Sequence, residues 1–349
     1  MIDDYDFDLP ERLIAQRPAP ERDASRLLVL DGDRIEHRVF RELPALVRPG
    51  DLFVLNETRV IPARLFARRL PGGGRTEILL LHPSHETDPA RQRWHALVRP
   101  ARRVHRGTVL SFGDLGEAVV LATGEEGERE LAFTTTLPFE RFLEQAGRLP
   151  LPPYVRSDDD ELQQRYQTVF ARVPGSVAAP TASLHFTEEL FGALAERGVE
   201  FTRLVLDVSL GTFRPVKSER LAEHRMYAER YTIPEECALA VRSAKETGRR
   251  VVAVGTTVVR ALEASALRYG EVRAGEEETD LFITPGFRFR VTDAMITNFH
   301  LPRSTLLVLV SAFAGRERIL RAYREAIARD YRFFSFGDAM FITPERGSP

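Results

Sequence analysis

The sequence predicts a mixed α/β fold, in which an α/β domain carries an inserted small antiparallel β-barrel. From residue 151 onward, strand-like runs alternate with helical patterns, as in proteins that pack helices on a mostly parallel sheet. Between residues 61 and 150, short strand-like runs follow one another with turn clusters between them, which is typical of a small barrel. We therefore predict a discontinuous α/β domain of residues 1–60 and 151–349, interrupted by a barrel of residues 61–150.

The individual elements follow from local patterns. A strand over residues 26–30 ends at an Asp-Gly hairpin turn, and a second strand over 51–56 leads into a polar loop over 56–59. Barrel strands are predicted at 63–69, 76–81, 94–98, 109–112, 118–122 and 130–134. Helices are predicted at 138–145, 188–197, 234–247, 258–269, 305–312 and 316–329.

Composition places the chain among ordinary soluble proteins. Its 349 residues are 43% hydrophobic and 29% charged, and they suffice for two domains. Cys237 is the single cysteine, which excludes an intrachain disulfide and a Cys-rich zinc site. No apolar run approaches the roughly 20 residues of a membrane span, and the acidic start lacks a signal-peptide pattern. We expect a cytoplasmic monomer with no membrane partner.

Positive charge is concentrated in the barrel segment. The net charge is −2, which argues against a protein that coats nucleic acid. Residues 58–107 nevertheless hold eleven arginines and three acidic residues. This stretch is either a solvated, arginine-rich surface or a patch that contacts phosphates.

Four polar segments lie at the predicted junctions of strands and helices. Because ligands of open α/β sheets gather at the carboxyl ends of strands, these segments are expected to form one site. Their candidate residues are Thr181, Ser183, His185, Gly211, Thr212, Gly255, Thr256, Thr257, Asn298 and His300. The threonines at 256 and 257 could equally be caps of the following helix, and Asn298 has the same double interpretation.

Histidines are the candidate proton carriers. His185, His224 and His300 lie in polar loops of the α/β part, and a side chain with a near-neutral pKa suits acid–base chemistry. Each histidine alone is more often a structural hydrogen-bonding residue. Zinc signatures, a Walker loop, a Gly-x-Ser-x-Gly elbow and a strand-borne Gly-x-Gly-x-x-Gly are all absent from the sequence.

The sequence closely resembles the S-adenosylmethionine:tRNA ribosyltransferase-isomerase family of queuosine biosynthesis. The resemblance covers nearly the whole chain and rests on many long matches in order. They are Asp6–Pro10, Ser25–Asp31, Asn56–Arg64, Ala96–Ala101, Leu151–Tyr154, Arg165–Val169, Ile296–Pro302, Ser311–Gly315, Tyr331–Ser335 and Gly337–Met340.

The resemblance implies an α/β domain with an inserted barrel and a defined reaction. The ribosyl group of S-adenosylmethionine would move to 7-aminomethyl-7-deazaguanine at the tRNA wobble position and rearrange to give epoxyqueuosine, while adenine and methionine leave. S-adenosylmethionine is then a co-substrate, and neither a metal nor a further cofactor is expected. His185, His300 and His224 would transfer protons, and the polar loop residues would bind S-adenosylmethionine. Arginines of the barrel region would contact tRNA, namely Arg59, Arg64, Arg99, Arg102 and Arg103.

The chain departs from the family pattern at a few positions. Asp207 and Tyr227 stand where the family has histidines, and Ser183 stands where it has glycine. Two other interpretations remain at this point. One is a divergent tRNA-binding protein of the same fold without catalysis, and the other is an S-adenosylmethionine-dependent RNA methyltransferase.

Overall fold

The computed structural model describes residues 1–84, 92–208, 219–226 and 228–344. They fall into two compact units. The first comprises Met1–Arg59, Pro152–Val173 and Ala179–Pro349, and the second comprises Val60–Leu151 and Pro174–Ala178. The short segment 174–178 thus groups with the second unit, although the sequence analysis assigned it to the α/β domain.

The strands are numbered in chain order. The first nine are β1 (Arg26–Asp31), β2 (Arg34–Val39), β3 (Leu52–Asn56), β4 (Thr58–Val60), β5 (Arg64–Leu70), β6 (Arg75–Pro83), β7 (Gln92–Arg99), β8 (Val109–Ser111) and β9 (Gly116–Thr123). The others are β10 (Glu128–Thr135), β11 (Gly147–Arg148), β12 (Val173–Ser176), β13 (Glu200–Leu206), β14 (Glu229–Ile233), β15 (Val251–Val254), β16 (Gly275–Thr279), β17 (Ala294–Asn298) and β18 (Ala339–Thr343).

Seven α-helices accompany these strands. They are α1 (Phe139–Ala146), α2 (Asp160–Arg165), α3 (Glu188–Glu196), α4 (Glu235–Glu246), α5 (Thr256–Tyr269), α6 (Thr305–Ala314) and α7 (Arg316–Ala328) among the described residues. The structure also contains short 3-10 helices, one of which spans Thr181–His185. Among the described residues, no helix combines the length and the apolar character that crossing a membrane requires.

The second unit is a closed antiparallel barrel. Six strands follow one another in the order β5-β6-β7-β10-β9-β8, and β8 pairs back onto β5. Strand β7 alternates buried Trp94, Ala96 and Val98 with more exposed side chains, because successive residues of a strand point to opposite faces. The inserted barrel predicted from the spacing of short strands is therefore confirmed.

The first unit is built on a nine-stranded mixed sheet in the order β16-β14-β13-β3-β15-β17-β18-β1-β2. Its centre, β13-β3-β15-β17, is parallel. The pairs β17–β18, β1–β2, β13–β14 and β14–β16 are antiparallel. The pair β1–β18 is parallel, so the sheet is mixed, and the prediction of a mostly parallel sheet was wrong for the four antiparallel pairs. β1 and β2 are joined by a hairpin turn, and the connection from β17 to β18 contains the two helices α6 and α7 rather than a single crossover helix.

Helices α3 and α6 begin at side-chain caps, whereas α5 does not, although Thr256 and Thr257 were possible caps for it. The Thr187 hydroxyl accepts a hydrogen bond from Leu190 N at 3.1 Å and caps α3. Ser304 caps α6 through Leu307 N at 3.2 Å. Helix α5, in contrast, has Gly255 at its N-cap and no side-chain cap.

The segment after β3 was predicted as a polar loop but continues into strand β4. Asn56 is fully buried there. Its Nδ2 donates to Leu206 O at 3.0 Å, and its Oδ1 accepts from Thr58 N and Leu206 N at 3.1 and 3.0 Å. Asn56 therefore ties two strands together, because a buried carboxamide is stable only when its donors and acceptor are satisfied.

Candidate functional site

A cleft lined by both apolar and polar residues lies in the first unit where β15 and β17 end. It has an empty volume of about 490 Å³, part of which is open to solvent. Its lining residues are Ala179, Pro180, Thr181, Ala182, Val208, Gly255, Thr256, Thr257, Thr297, Asn298, Phe299, His300, Leu306, Phe334 and Ser335. All four predicted polar segments contribute, since Val208 belongs to the segment that holds Gly211 and Thr212, so the convergence expected at the carboxyl edge of the sheet occurs.

The N-terminus of α5 forms one wall of the cleft. Gly255 follows β15 and has a φ of +100°, a backbone conformation that residues other than glycine rarely adopt. The helix begins at Thr256 without a side-chain cap, so its first amide groups and the Thr256 and Thr257 side chains face a cleft that can receive a ligand. Backbone amides and the helix dipole favour an anionic or polar group at this position.

The 3-10 helix Thr181–His185 forms a second wall. Thr181 lines the cleft, whereas Ser183 and His185 are buried and are not among the lining residues. Within the described part of the chain, the Ser183 hydroxyl has no hydrogen-bond partner. The structure therefore brings Thr181 to the cleft surface and places the other two predicted residues behind it.

His185 is connected to the cleft through Asn298. The Asn298 Nδ2 lies 3.3 Å from His185 Nε2 and donates to Phe334 O at 3.1 Å. On the other side of the ring, His185 Nδ1 lies 2.7 Å from Ser25 Oγ. Burial lowers the pKa of His185 to about 4, with Asp338 raising it and Arg332 lowering it to smaller extents. The imidazole is therefore neutral at physiological pH.

His300 lies directly on the cleft. Its Nε2 is 3.0 Å from Thr297 Oγ1, and its backbone N–H donates to the Tyr323 hydroxyl at 3.0 Å. Burial lowers the pKa of His300 to about 3. A neutral imidazole at the cleft surface can accept a proton or donate a hydrogen bond, depending on its tautomer.

Of the remaining residues predicted for the cleft, the structure describes only His224, which does not line this cleft. His224 is partly buried, packs edge-on against Phe282 with ring centroids 5.3 Å apart, and is not a lining residue. Burial lowers its pKa. Gly211 and Thr212 lie outside the described residues, as does Tyr227. The proton-transfer roles predicted for His185 and His224 stay predictions.

Sequence reasoning missed Ser335 and Ser25. Ser335 lines the cleft, and its buried hydroxyl has no hydrogen-bond partner among the described residues. The preceding residue, Phe334, has φ of +76°, a strained conformation for a non-glycine residue and one that often marks functional sites. Both serines lie in segments that carry the family resemblance, and this resemblance was the one signal in the sequence that could have pointed to them. No local pattern indicates a role for either serine.

The predicted tRNA-binding arginines differ in their availability. Arg59, Arg99, Arg102 and Arg103 are exposed. Arg64 is partly buried, and its Nε is 2.7 Å from Glu77 Oε1. Because the Arg64 guanidinium already forms an ion pair with Glu77, the four exposed arginines are better placed than Arg64 to contact a phosphate group. Contact with tRNA stays a prediction for all five.

Arg260, a residue of α5, does not offer its guanidinium to a ligand. The guanidinium forms a fully buried ion pair with Glu229 and donates to Leu281 O at 3.1 Å. Both side chains are at most 2% exposed, so this pair belongs to the core. Among the described residues, no group of three or more histidine, cysteine, aspartate or glutamate side chains is arranged to hold a metal ion.

Fold and site together define an α/β protein with an inserted six-stranded barrel and a Thr-Asn-His cleft at the carboxyl edge of its sheet. The chain belongs to the queuosine biosynthesis protein family, whose sequence profile matches residues 2–342.

Several known proteins are similar to this chain over nearly its full length. It is 52% identical over 349 residues to the S-adenosylmethionine:tRNA ribosyltransferase-isomerase of Gloeobacter violaceus, covering 100% of this chain and 97% of the relative. It is 52% identical over 344 residues to the protein of the same name from Symbiobacterium thermophilum, covering 98% and 99%. The crystal structure of S-adenosylmethionine tRNA ribosyltransferase from Thermotoga maritima is 42% identical, with a TM-score of 0.55 and coverage of 97% and 99%.

Proposed function

We propose that this chain is an S-adenosylmethionine:tRNA ribosyltransferase-isomerase that acts on 7-aminomethyl-7-deazaguanine at the wobble position of tRNA. The observation that carries the proposal is the cleft itself, where His300, Asn298 and the start of α5 meet in a chain with full-length relatives of that name. The products are epoxyqueuosine in tRNA, adenine and methionine.

The cleft offers complementary surfaces for S-adenosylmethionine. The start of α5, with Gly255, Thr256 and Thr257, suits the carboxylate of the methionine part, because free amides and the positive end of the helix dipole attract an anion. The same dipole repels the sulfonium, which therefore lies away from this helix end. Thr181 and Asn298 offer hydrogen bonds to the nucleoside part.

The reaction needs proton transfer at two stages. The sulfonium acidifies the adjacent ribosyl hydrogens, so a base can remove one, and departing adenine must gain a proton. His300 is the histidine that lines the cleft, so it is the group that we assign to proton transfer. The acceptor amine of the tRNA base must itself be neutral to attack the ribosyl carbon.

The exposed arginines at 59, 99, 102 and 103 supply positive charge for the tRNA backbone. We further propose that the protein acts as a cytoplasmic monomer and uses neither a metal nor a cofactor besides its co-substrate. Analytical ultracentrifugation at micromolar concentration tests the oligomeric state. Turnover in the presence of EDTA that equals turnover without it would agree with metal-independent chemistry.

The deciding experiment is incubation with S-adenosylmethionine and tRNA that carries 7-aminomethyl-7-deazaguanine, followed by chromatography. Release of both adenine and methionine, dependent on the modified tRNA, is the expected result. Formation of S-adenosylhomocysteine would instead identify a methyltransferase. Binding of tRNA without release of adenine would identify a non-catalytic tRNA-binding protein.

A further inference from the structure

The Asn298 side chain uses both of its donor hydrogens inside the protein and leaves its acceptor at the cleft. Its Nδ2 donates to Phe334 O at 3.1 Å and contacts His185 Nε2 at 3.3 Å. Its Oδ1 is buried and has no hydrogen-bond partner in the described part of the chain. Asn298 is only 3% exposed and lines the cleft, so a ligand is the natural partner for this oxygen.

The orientation of this carboxamide is determined by its surroundings. Turning it over would bring Oδ1 against the carbonyl oxygen of Phe334, and two acceptors repel each other. The same flip would also deprive the amide hydrogens of their acceptor, the carbonyl oxygen of Phe334. The oxygen, rather than the amide nitrogen, is therefore the atom that faces the ligand.

A chain of buried hydrogen bonds supports this orientation from behind. Since His185 Nε2 accepts from Asn298, the ring proton lies on Nδ1, which donates to Ser25 Oγ at 2.7 Å. Ser25 Oγ in turn donates to Arg22 O at 3.4 Å. Every donor in the chain points away from the cleft, and both ring nitrogens of His185 are occupied.

A second buried polar group without a partner lines the same cleft. Ser335 is 3% exposed and lines the cleft, and its Oγ has no partner among the described residues. Its backbone N–H is held by the Tyr154 hydroxyl at 3.0 Å. A buried polar atom without a partner costs roughly 1–3 kcal/mol, so two such atoms at one cleft indicate that a polar ligand completes them.

We propose that Asn298 Oδ1 accepts a hydrogen bond from an N–H group of the sulfonium co-substrate, and that His185 is a positioning residue that holds this acceptor toward the cleft. The inference rests on the proposed function. S-adenosylmethionine carries two such groups, the 6-amino group of its adenine and the α-ammonium group of its methionine part. His185 then acts through Asn298 rather than by exchanging a proton with substrate.

Calorimetric binding to the wild type and to Asn298→Ala tests the acceptor. The probes are S-adenosylmethionine, 5′-methylthioadenosine and 5′-methylthioinosine, which has a carbonyl in place of the 6-amino group. We expect S-adenosylmethionine to bind Asn298→Ala about 10-fold more weakly, the effect of one lost hydrogen bond. Unchanged affinity of Asn298→Ala for S-adenosylmethionine would overturn the proposal.

The two nucleosides separate the two possible donors. If the 6-amino group is the donor, the wild type prefers 5′-methylthioadenosine over 5′-methylthioinosine, and Asn298→Ala loses that preference. If the α-ammonium group is the donor, Asn298→Ala binds both nucleosides as tightly as the wild type does, and only its affinity for S-adenosylmethionine is lower. Should Asn298→Ala fail to fold, the binding affinities of the wild type decide. They are compared between the two nucleosides, and between S-adenosylmethionine and its analogue with an α-keto group in place of the α-ammonium group. A wild type that prefers neither 5′-methylthioadenosine nor S-adenosylmethionine over its counterpart overturns the proposal.

A double-mutant cycle tests the role of His185. His185→Phe keeps an aromatic ring and removes both nitrogens, so it should weaken S-adenosylmethionine binding about 10-fold in the wild-type background and hardly at all in Asn298→Ala. His185→Gln restores an acceptor and should recover part of the affinity. A His185→Phe protein that binds normally but loses turnover in both backgrounds would make His185 a proton carrier and overturn the positioning role.

These outcomes stay distinct from a failure of the proposed function. A wild type that binds S-adenosylmethionine but releases no adenine from modified tRNA would refute the transferase assignment. The calorimetric binding measurements and the double-mutant cycle would still decide the roles of Asn298 and His185. A wild type that binds none of the probes would overturn both.

Discussion

Asp207 Oδ2 accepts hydrogen bonds from Arg230 Nη2 at 2.8 Å and from Arg230 Nε at 3.1 Å. In the family pattern, the position of Asp207 carries a histidine. In this chain the side chain at that position is engaged by a guanidinium. This pair links the end of β13 to β14, one residue before Val208 at the cleft.

Asp207→Asn should therefore affect stability and turnover only slightly. The two side chains are 24% and 47% exposed, so loss of the pair should cost less than about 1 kcal/mol in the free energy of unfolding. Arg230→Gln breaks the same pair from the other side and is the matched control. A large fall in adenine release for Asp207→Asn but not for Arg230→Gln would show that the carboxylate has taken over the role of the histidine.

Stability should decrease as pH falls below about 6.5. His185 and His300 have pKa values of about 4 and about 3 in the folded protein, below the 6.5 of an unperturbed histidine. The unfolded state therefore binds more protons in this range, and each histidine contributes a slope of up to about 1.4 kcal/mol per pH unit. The stabilisation is complete above pH 6.5 and is lost as pH falls toward these lowered values.

Urea unfolding between pH 7.5 and 5 measures this effect. The window lies above the range in which most carboxylates titrate. His185→Gln should flatten the pH dependence, since it removes one of the histidines whose pKa is lowered by burial. Equal stability of the wild type at pH 7 and pH 5 would contradict the assigned burial of the two histidines.

Gly255→Ala should impair both stability and co-substrate binding. A side chain at φ of +100° strains the backbone by about 1–3 kcal/mol, although the added methyl group meets only ordinary contacts. Gly248→Ala is the matched control, because Gly248 has φ of +69°, has open space around it and is not a lining residue. We expect both variants to melt at lower temperature and only Gly255→Ala to raise the KM for S-adenosylmethionine. A raised KM in both would assign the effect to stability alone.

The double variant Arg102→Ala/Arg103→Ala should bind tRNA more weakly without loss of stability. Both side chains are exposed, and each phosphate contact that is lost should reduce the slope of log K against log salt by about 1. Fluorescence anisotropy at several salt concentrations measures this slope. Arg141→Ala, another exposed arginine of the same unit, is the control. An unchanged slope would remove these two arginines from the tRNA contact.

Arg129→Met should destabilise the barrel. Arg129 is 7% exposed and donates to the carbonyl oxygens of Val104, Ala101 and Glu128 at 2.7, 2.8 and 2.6 Å. Its loss leaves the buried carbonyl oxygen of Val104 unsatisfied, at roughly 1–3 kcal/mol, and removes the donor of two partly buried carbonyls. Because two of these carbonyls bracket the turn that carries Arg102 and Arg103, tRNA affinity should fall as well. Normal melting of Arg129→Met would refute this structural role.

Local patterns predicted much of this fold because their causes are local. The helix predicted at 234–247 spans Glu235–Glu246, and the one predicted at 316–329 spans Arg316–Ala328. Periodic burial and capping act within one or two turns, so they are visible in sequence. The antiparallel pairing of β18 with β17 joins segments about 40 residues apart through no turn motif, and no local signal predicts it.

The sequence by itself determined which polar loops form the site and which residue types they offer. It could not separate His300 from His185, because both follow similar polar segments and both are buried. Only the tertiary structure decided that His300 borders the cleft while His185 stands behind Asn298, with Ser25 on its far side. Hydrogen-bond direction and burial depend on groups more than a hundred residues apart in the chain, and these meet only when the sheet has assembled.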